Sequence, residues 1–177
     1  MIEIESKVMN IDVSAERKKL LRAGGIFLSK KLYRTILFKL PVAENKLRTL
    51  RLRLEGEEAR IAYKEVIDST HTQIRQRNER EVIVSDFATT HEIFLSLGYA
   101  VTHDFSKYRE SYALNGATLV IDEHLGAYAV IPPLLEIEAD SAQKVIETAS
   151  LLGYQESDLS SVSFRDLTKQ YALADLA

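Results

Sequence analysis

Cysteine is absent from the 177-residue chain. That excludes disulfides, zinc-ribbon centres, thiol redox chemistry and cysteine nucleophiles, and leaves carboxylates and four histidines as the strong metal ligands. Glycine and proline are scarce, at seven and three residues. No Ser/Gly/Pro-rich linker, internal repeat or low-complexity tract divides the chain, so residues 1–177 are read as one domain. No window of about 18 uncharged apolar residues is present, and Met1-Ile-Glu-Ile-Glu-Ser-Lys7 has no basic-then-apolar leader. A cytoplasmic protein without membrane partners is therefore expected. Charge of one sign is missing too, with 23 Lys plus Arg against 26 Asp plus Glu and a net charge of -3. That balance argues against general nucleic-acid binding. With 46% hydrophobic residues, the chain is long enough to bury a sizeable core.

Patterning predicts about eight strands and three or four helices. Strand-like runs cover 2–8, 32–40, 46–54, 59–67, 72–84, 101–114, 117–122 and 134–138, with Pro41 and Gly56 as breaks. Asn115-Gly116 between two such runs signals a tight hairpin. Helical runs cover Ser14 to Ala23, with Ser14 as the cap and Gly24-Gly25 as the stop, Asp86 to Leu97, Ser141 to Leu152 and Ser163 to Leu176. Phe87, Ile93, Phe94 and Leu97 are the expected packing residues of the second helix. Mostly meandering strands with a few helices suggest an α+β fold: an antiparallel barrel with helices packed outside.

Strand alternation carries the chemistry. Side chains at i and i+2 share a face of a strand. Glu3, Glu5 and Lys7 therefore lie opposite Ile2, Ile4 and Val8, and Arg51 and Arg53 lie opposite Leu50, Leu52 and Leu54. Arg77, Glu79 and Glu81 align, as do Glu136 and Glu138 opposite Leu135 and Ile137. Lys64, Lys107, Arg109 and Asp122 complete the set. Solvated outer faces would mix in Ser, Thr, Asn and Gln, whereas these faces are purely ionic at one spacing. Turning them outward would also leave the amphipathic helices no apolar surface to cover. The ionic faces are therefore expected to line the interior, and the Leu/Ile/Val faces to lie under the helices.

That interior would hold seven acids (Glu3, Glu5, Glu79, Glu81, Asp122, Glu136, Glu138) and seven bases (Lys7, Arg51, Arg53, Lys64, Arg77, Lys107, Arg109). Desolvated ions cost several kcal/mol each unless paired, so such a lumen must be wet and able to take ligands. Clustered carboxylates suit hard cations with oxygen ligands, Mg2+ or Mn2+, which retain waters and bridge to phosphates. Arginine forks and lysine ammonium groups supply the anion site. A phosphate chain bound through metal fits all three components.

Taken in order, Glu3-x-Glu5-x-Lys7, Leu-Arg-Leu-Arg53, Lys64, Arg77-x-Glu-x-Glu81, Lys107-x-Arg109-x-x-Tyr112, Asp122 and Glu136-x-Glu138 resemble the CYTH superfamily, the triphosphate tunnel metalloenzymes. That group includes class IV adenylate cyclases, thiamine triphosphatases and inorganic triphosphatases. The resemblance implies a closed eight-stranded antiparallel tunnel holding a triphosphate, with a divalent metal on the carboxylates. It implies metal-binding roles for Glu3, Glu5, Glu136 and Glu138, and phosphate-binding roles for Lys7, Arg51, Arg53, Lys64, Arg77, Lys107 and Arg109. Glu79, Glu81 and Asp122 resemble the acids that hold a second metal or position the attacking group. Ser163-Phe-Arg-Asp-Leu167 is similar to the Ser-Tyr-x-x-Leu ending of some members. The segment Tyr33 to Phe38 departs from the family by lacking an acid.

Two reactions share this grip: hydrolysis of tripolyphosphate, ATP or thiamine triphosphate, and cyclisation of ATP to cyclic AMP. Cyclisation needs adenine recognition in addition. Tyr33, Phe38, Tyr63 and Tyr112 read better as strand residues packing on neighbours, so metal-dependent hydrolysis is the expectation and cyclisation the alternative. A polyphosphate-binding module would gain nothing from acids facing its ligand, and a lipocalin-like carrier needs an apolar lumen. His71, His91, His103 and His124 lack metal-site spacing, and His124 is expected in a solvated loop. The sequence leaves a homodimer open.

Overall fold

The structure, a computed structural model, describes residues 2–39, 48–68 and 73–173. Eight strands form a closed antiparallel barrel: β1 (Ile2–Met9), β2 (Ile26–Lys39), β3 (Arg48–Glu55), β4 (Glu58–Asp68), β5 (Arg75–Val84), β6 (Ala100–Leu114), β7 (Ala117–His124) and β8 (Leu134–Ala139). Around the barrel they run β1-β5-β4-β3-β2-β6-β7-β8. Strand β1 closes the ring, pairing Ile2 to Glu5 with β5 and Ile4 to Met9 with β8. The helices are α1 (Val13–Arg22), α2 (Phe87–Ser96), α3 (Ala142–Leu151) and α4 (Phe164–Gln170).

The apolar strand faces turn outward, as the alternation requires. Ile4, Val8, Leu119, Ile121, Leu135 and Ile137 bury against Leu20 of α1 and Val145 and Ala149 of α3. Ile36, Phe38, Leu50 and Leu52 pack against Phe87 and Phe94 of α2. Ile93 and Leu97, expected in that contact, are 51% and 65% exposed instead. The helix is only ten residues long, and its two phenylalanines, with the His91 ring against Phe38, fill the seam. Phe105, Tyr128, Ile131, Leu134 and Leu167 form a third cluster, where α4 meets the end of the barrel.

Local signals set several boundaries. Asn115 and Gly116 both have positive φ, 54° and 77°, as a two-residue hairpin of this hand demands. Gly24 ends α1 at φ 88°, and a Cβ on Gly25 would meet the Leu20 carbonyl oxygen at 2.8 Å. The cap of α1 is Asp12 rather than Ser14: its carboxylate accepts from the Ala15 amide at 2.7 Å. Asp12→Ala should therefore lower stability by about 1 kcal/mol in a denaturant melt, while Ser14→Ala should have little effect.

Strand β2 begins at Ile26, six residues before the expected start, because β6 supplies partners as far as Ala113. Strand β5 begins at Arg75 rather than Thr72, and α4 ends at Gln170 rather than Leu176. Leu40, Pro41, Lys46, Leu47, His71, Thr72 and Leu176, named above as strand, break, histidine or helix positions, lie outside the described residues.

Candidate active site

All fourteen predicted site residues line one cavity of about 740 Å³ inside the barrel. Register explains the convergence. Glu3 pairs across to Arg77, Glu5 to Glu138, Lys7 to Glu136, Lys64 to Glu79 and Arg109 to Asp122. Alternation then sends each of these side chains to the same inner face.

The ions pair closely. Lys7 Nζ lies 2.9 Å from both Glu5 and Glu136, and Lys64 donates to Glu3 at 2.7 Å. Arg77 reaches Glu5 at 2.5 Å and Glu3 at 3.1 Å. Arg109 forks Asp122 through Nε and Nη2 at 2.7 and 2.6 Å and also donates to Glu136 at 2.6 Å, while Lys107 donates to Asp122 at 2.5 Å. Arg51 shares Glu79 and Glu81 at 3.3 and 3.2 Å. Arg53 holds Glu81 more loosely, at 3.5 Å, and lies over the Tyr33 ring.

Two features mark unmet demand for an anion and for a cation. The buried Nε atoms of Arg51 and Arg53 find no acceptor among the described protein atoms. Buried guanidinium N–H groups without acceptors are costly, and phosphate oxygens would satisfy them. Glu138 makes none of the short ion pairs above. Crowding by protein atoms, followed by the charges of Glu3, Glu5 and Glu136, pushes its pKa up to about 7, with Lys64 opposing. A divalent cation would relieve that concentration of negative charge. The all-carboxylate donor set of Glu3, Glu5, Glu136 and Glu138 fits a hard ion. Among the described residues, however, no three acidic or histidine side chains converge closely enough to hold a metal as they stand. Glu3, Glu5 and Glu136 are turned onto Lys64, Lys7, Arg77 and Arg109 instead.

Protonation follows the same crowding. Burial alone would raise the Glu5 pKa, but Lys7, Arg77 and Lys64 outweigh it and hold it at about 2. Lys107 is pulled down to about 8 by burial and then by Arg109, against the opposition of Asp122.

Several residues lining the cavity lie outside the predicted set, among them Arg75, Tyr33, His103 and His124. Arg75 stands one strand step before Arg77, so the same alternation carried back one period would have found it. His124 is only 7% exposed, because β7 runs to residue 124 and not 122. It is a strand histidine of the lumen and not a solvated loop residue. Burial, then the charge of Lys107, lowers its pKa to about 4 and keeps it neutral. Tyr33, expected to pack as a strand residue, presents its ring to Arg53 and Arg109 inside the cavity.

The CYTH domain model matches residues 1–163. The chain belongs to the CYTH family. Solved structures share the tunnel fold of this CYTH chain. A conserved hypothetical protein from Pyrococcus furiosus superposes with a TM-score of 0.79 at 25% identity, covering 93% of this chain and 99% of its own. A candidate adenylate cyclase from Vibrio parahaemolyticus gives 0.76 at 11% identity, over 96% and 98% of the two chains. A candidate adenylyl cyclase from Hippeastrum, described as having a dominant triphosphatase activity, gives 0.69 at 15% identity, over 95% of each chain. No curated protein matches the sequence significantly. Among the described residues no helix is long and apolar enough to cross a membrane.

Proposed function

We propose that this CYTH protein is a divalent-metal-dependent triphosphatase acting on tripolyphosphate or an organic triphosphate. The observation that carries this reading is the barrel lumen, in which seven Lys and Arg side chains meet the acids of β1 and β8, and burial together with the charges of Glu3, Glu5 and Glu136 raises Glu138 to about 7. Glu3, Glu5, Glu136 and Glu138 are the residues that would hold Mg2+ or Mn2+. When bound, such an ion neutralises phosphate charge and lowers the pKa of water.

Lys7, Arg51, Arg53, Lys64, Arg77, Lys107 and Arg109 grip the triphosphate and stabilise charge on the transferring phosphoryl group. Arg51 and Arg53, with the longest ion pairs and orphaned Nε atoms, turn most readily from carboxylate to phosphate. That exchange releases Glu81 Oε2, while Oε1 stays on Arg60 at 2.9 Å, so Glu81 can accept a proton from the attacking water, and Glu79, still held by Lys64 at 3.2 Å, orients it. Asp122, held by short bonds from both Lys107 and Arg109, keeps those two cations aimed into the lumen. Water adds to the terminal phosphorus, the bridging P–O bond breaks, and the shortened chain leaves.

The alternative is a class IV adenylate cyclase, which needs a slot for adenine. Three of the aromatic rings in the cavity are engaged. Phe105 and Phe164 stack on each other at 4.1 Å, and Tyr33 is covered by Arg53 and Arg109. Those contacts favour hydrolysis. The deciding experiment incubates the protein with Mg2+ or Mn2+ and, separately, tripolyphosphate, ATP or thiamine triphosphate, following phosphate and cyclic AMP together. Phosphate without cyclic AMP is expected; cyclic AMP with pyrophosphate would replace the proposal with the cyclase.

The pH profile is a second test. Glu138 must lose its proton, near pH 7, to hold a cation, and Lys107 must keep its proton, lost near pH 8, to hold phosphate. A narrow bell in kcat/KM is expected between those values. Lys107→Arg should remove the basic limb, and Glu138→Gln, fixed in the uncharged form, should keep activity at its low-pH level throughout; a flat wild-type profile from pH 6 to 9 would reject both assignments.

A further inference from the structure

We propose that Arg75 and the basic rim beside α4 form a further phosphate subsite, making linear polyphosphate of four or more phosphates the preferred substrate class. The inference rests on the triphosphatase reading and extends it along the same cavity.

Arg75 faces the lumen and its side chain is only 19% exposed, comparable to Arg77 at 16%. Its charge is poorly neutralised. Each of the seven cations gripping the triphosphate has a carboxylate oxygen within 3.5 Å, whereas the ion pair Arg75 makes is 3.9 Å long, to Asp166. Asp166 is committed elsewhere. It caps α4, accepting from the Ser163 amide at 3.0 Å and from the Ser163 hydroxyl at 2.5 Å, and its side chain is 57% exposed. A loosely held, partly buried guanidinium therefore points into a continuous cavity; the other carboxylate acting on it, its cross-strand neighbour Glu5, is already shared by Lys7 and Arg77.

The surroundings reinforce this. Strand register places Arg75, Lys39 and Arg48 at the end of the barrel toward which β1 runs, and α4 brings Arg165 and Lys169 to the same cavity wall. Five basic residues line this end, of which Arg48 is already held by Glu65 at 2.9 Å, with Asp166 as the acid on the cavity wall beside them. Two residues along a strand span roughly 7 Å, so Arg75 stands one such step beyond Arg77 and the central grip. A fourth phosphate would meet it there. A neutral organic group attached to a triphosphate would gain nothing from five cations. Burial, then repulsion from Arg77, lowers the Arg75 pKa, the strain that an added anion would relieve.

The test compares tripolyphosphate with linear tetraphosphate on the full-length protein. Wild type is expected to show the lower KM for tetraphosphate. Arg75→Gln should raise the tetraphosphate KM about tenfold, as loss of a charge-assisted contact does, and the tripolyphosphate KM by much less. Asp166→Asn, which keeps a cap acceptor and removes the competing charge, should lower the tetraphosphate KM. Equal shifts for the two chains in Arg75→Gln, or none, would overturn the subsite. If wild type hydrolyses neither chain, the triphosphatase reading fails by itself. Calorimetry of both chains in EDTA then decides the subsite: a tetraphosphate preference lost in Arg75→Gln supports it, and no preference in wild type rejects it.

Discussion

Glu5→Gln is expected to reduce metal-dependent turnover on the order of 10³-fold while the protein remains folded at neutral pH. Glu5 is 4% exposed and lies between Lys7 and Arg77. Losing one partner of a buried pair is ordinarily severe, but each cation here keeps a second acid: Lys7 retains Glu136 and Arg77 retains Glu3. A stability loss of about 1 kcal/mol is expected rather than several. The pH dependence of stability changes in a defined direction. The folded pKa of Glu5, about 2, lies below the ordinary 4.5, so ionised Glu5 stabilises the fold above pH 4.5 and loses that contribution as pH falls from 4.5 toward 2. The variant should lose part of this acid-side slope in denaturant titrations. Wild-type turnover in Glu5→Gln would remove Glu5 from the metal site.

Arg109→Met should have the largest effect on stability. Its guanidinium makes two bonds to Asp122 and one to Glu136, and Asp122 is 1% exposed. Truncation leaves Lys107 as the short partner of Asp122 and Lys7 as that of Glu136. Breaking such a buried cluster costs about 3 kcal/mol or more, which for a chain of this length lowers Tm by roughly 6–12 °C. Catalytic efficiency should fall by about 10³ as well, since the fork is lost from the phosphate grip. Arg109→Lys should recover part of the stability and little of the efficiency, because an ammonium group cannot fork two acceptors. A Tm within 2 °C of wild type in Arg109→Met would contradict the structure of this cluster.

Much of the site was legible because it is written at one local spacing. Glu3 and Glu5, Arg51 and Arg53, Arg77 to Glu81, and Glu136 and Glu138 share a face by strand geometry alone, whatever their neighbours are. Arg75 belongs to the same series and was within reach of that argument. His124 was not, because strand β7 continues through it only where β6 supplies Lys107 as a partner. Asp12 displaced Ser14 as a cap because the helix starts where β1 releases the chain. Ile93 and Leu97 look like core residues in an amphipathic pattern, yet Phe87, His91 and Phe94 are the α2 side chains that occupy the seam beneath it.

The sequence by itself determined the fold class, the inward turn of the ionic faces and the carboxylate-and-cation make-up of the lumen. Each of these follows from residue type and from a period of two along single strands. Tertiary structure alone decided which charge meets which. Pairing between strands far apart in the chain sets whether an arginine finds a carboxylate at 2.6 Å, as Arg109 does, or at 3.9 Å, as Arg75 does. It also decided that the acids rest on cations and not on one another, because Coulomb attraction inside a closed barrel depends on distances that no single strand contains.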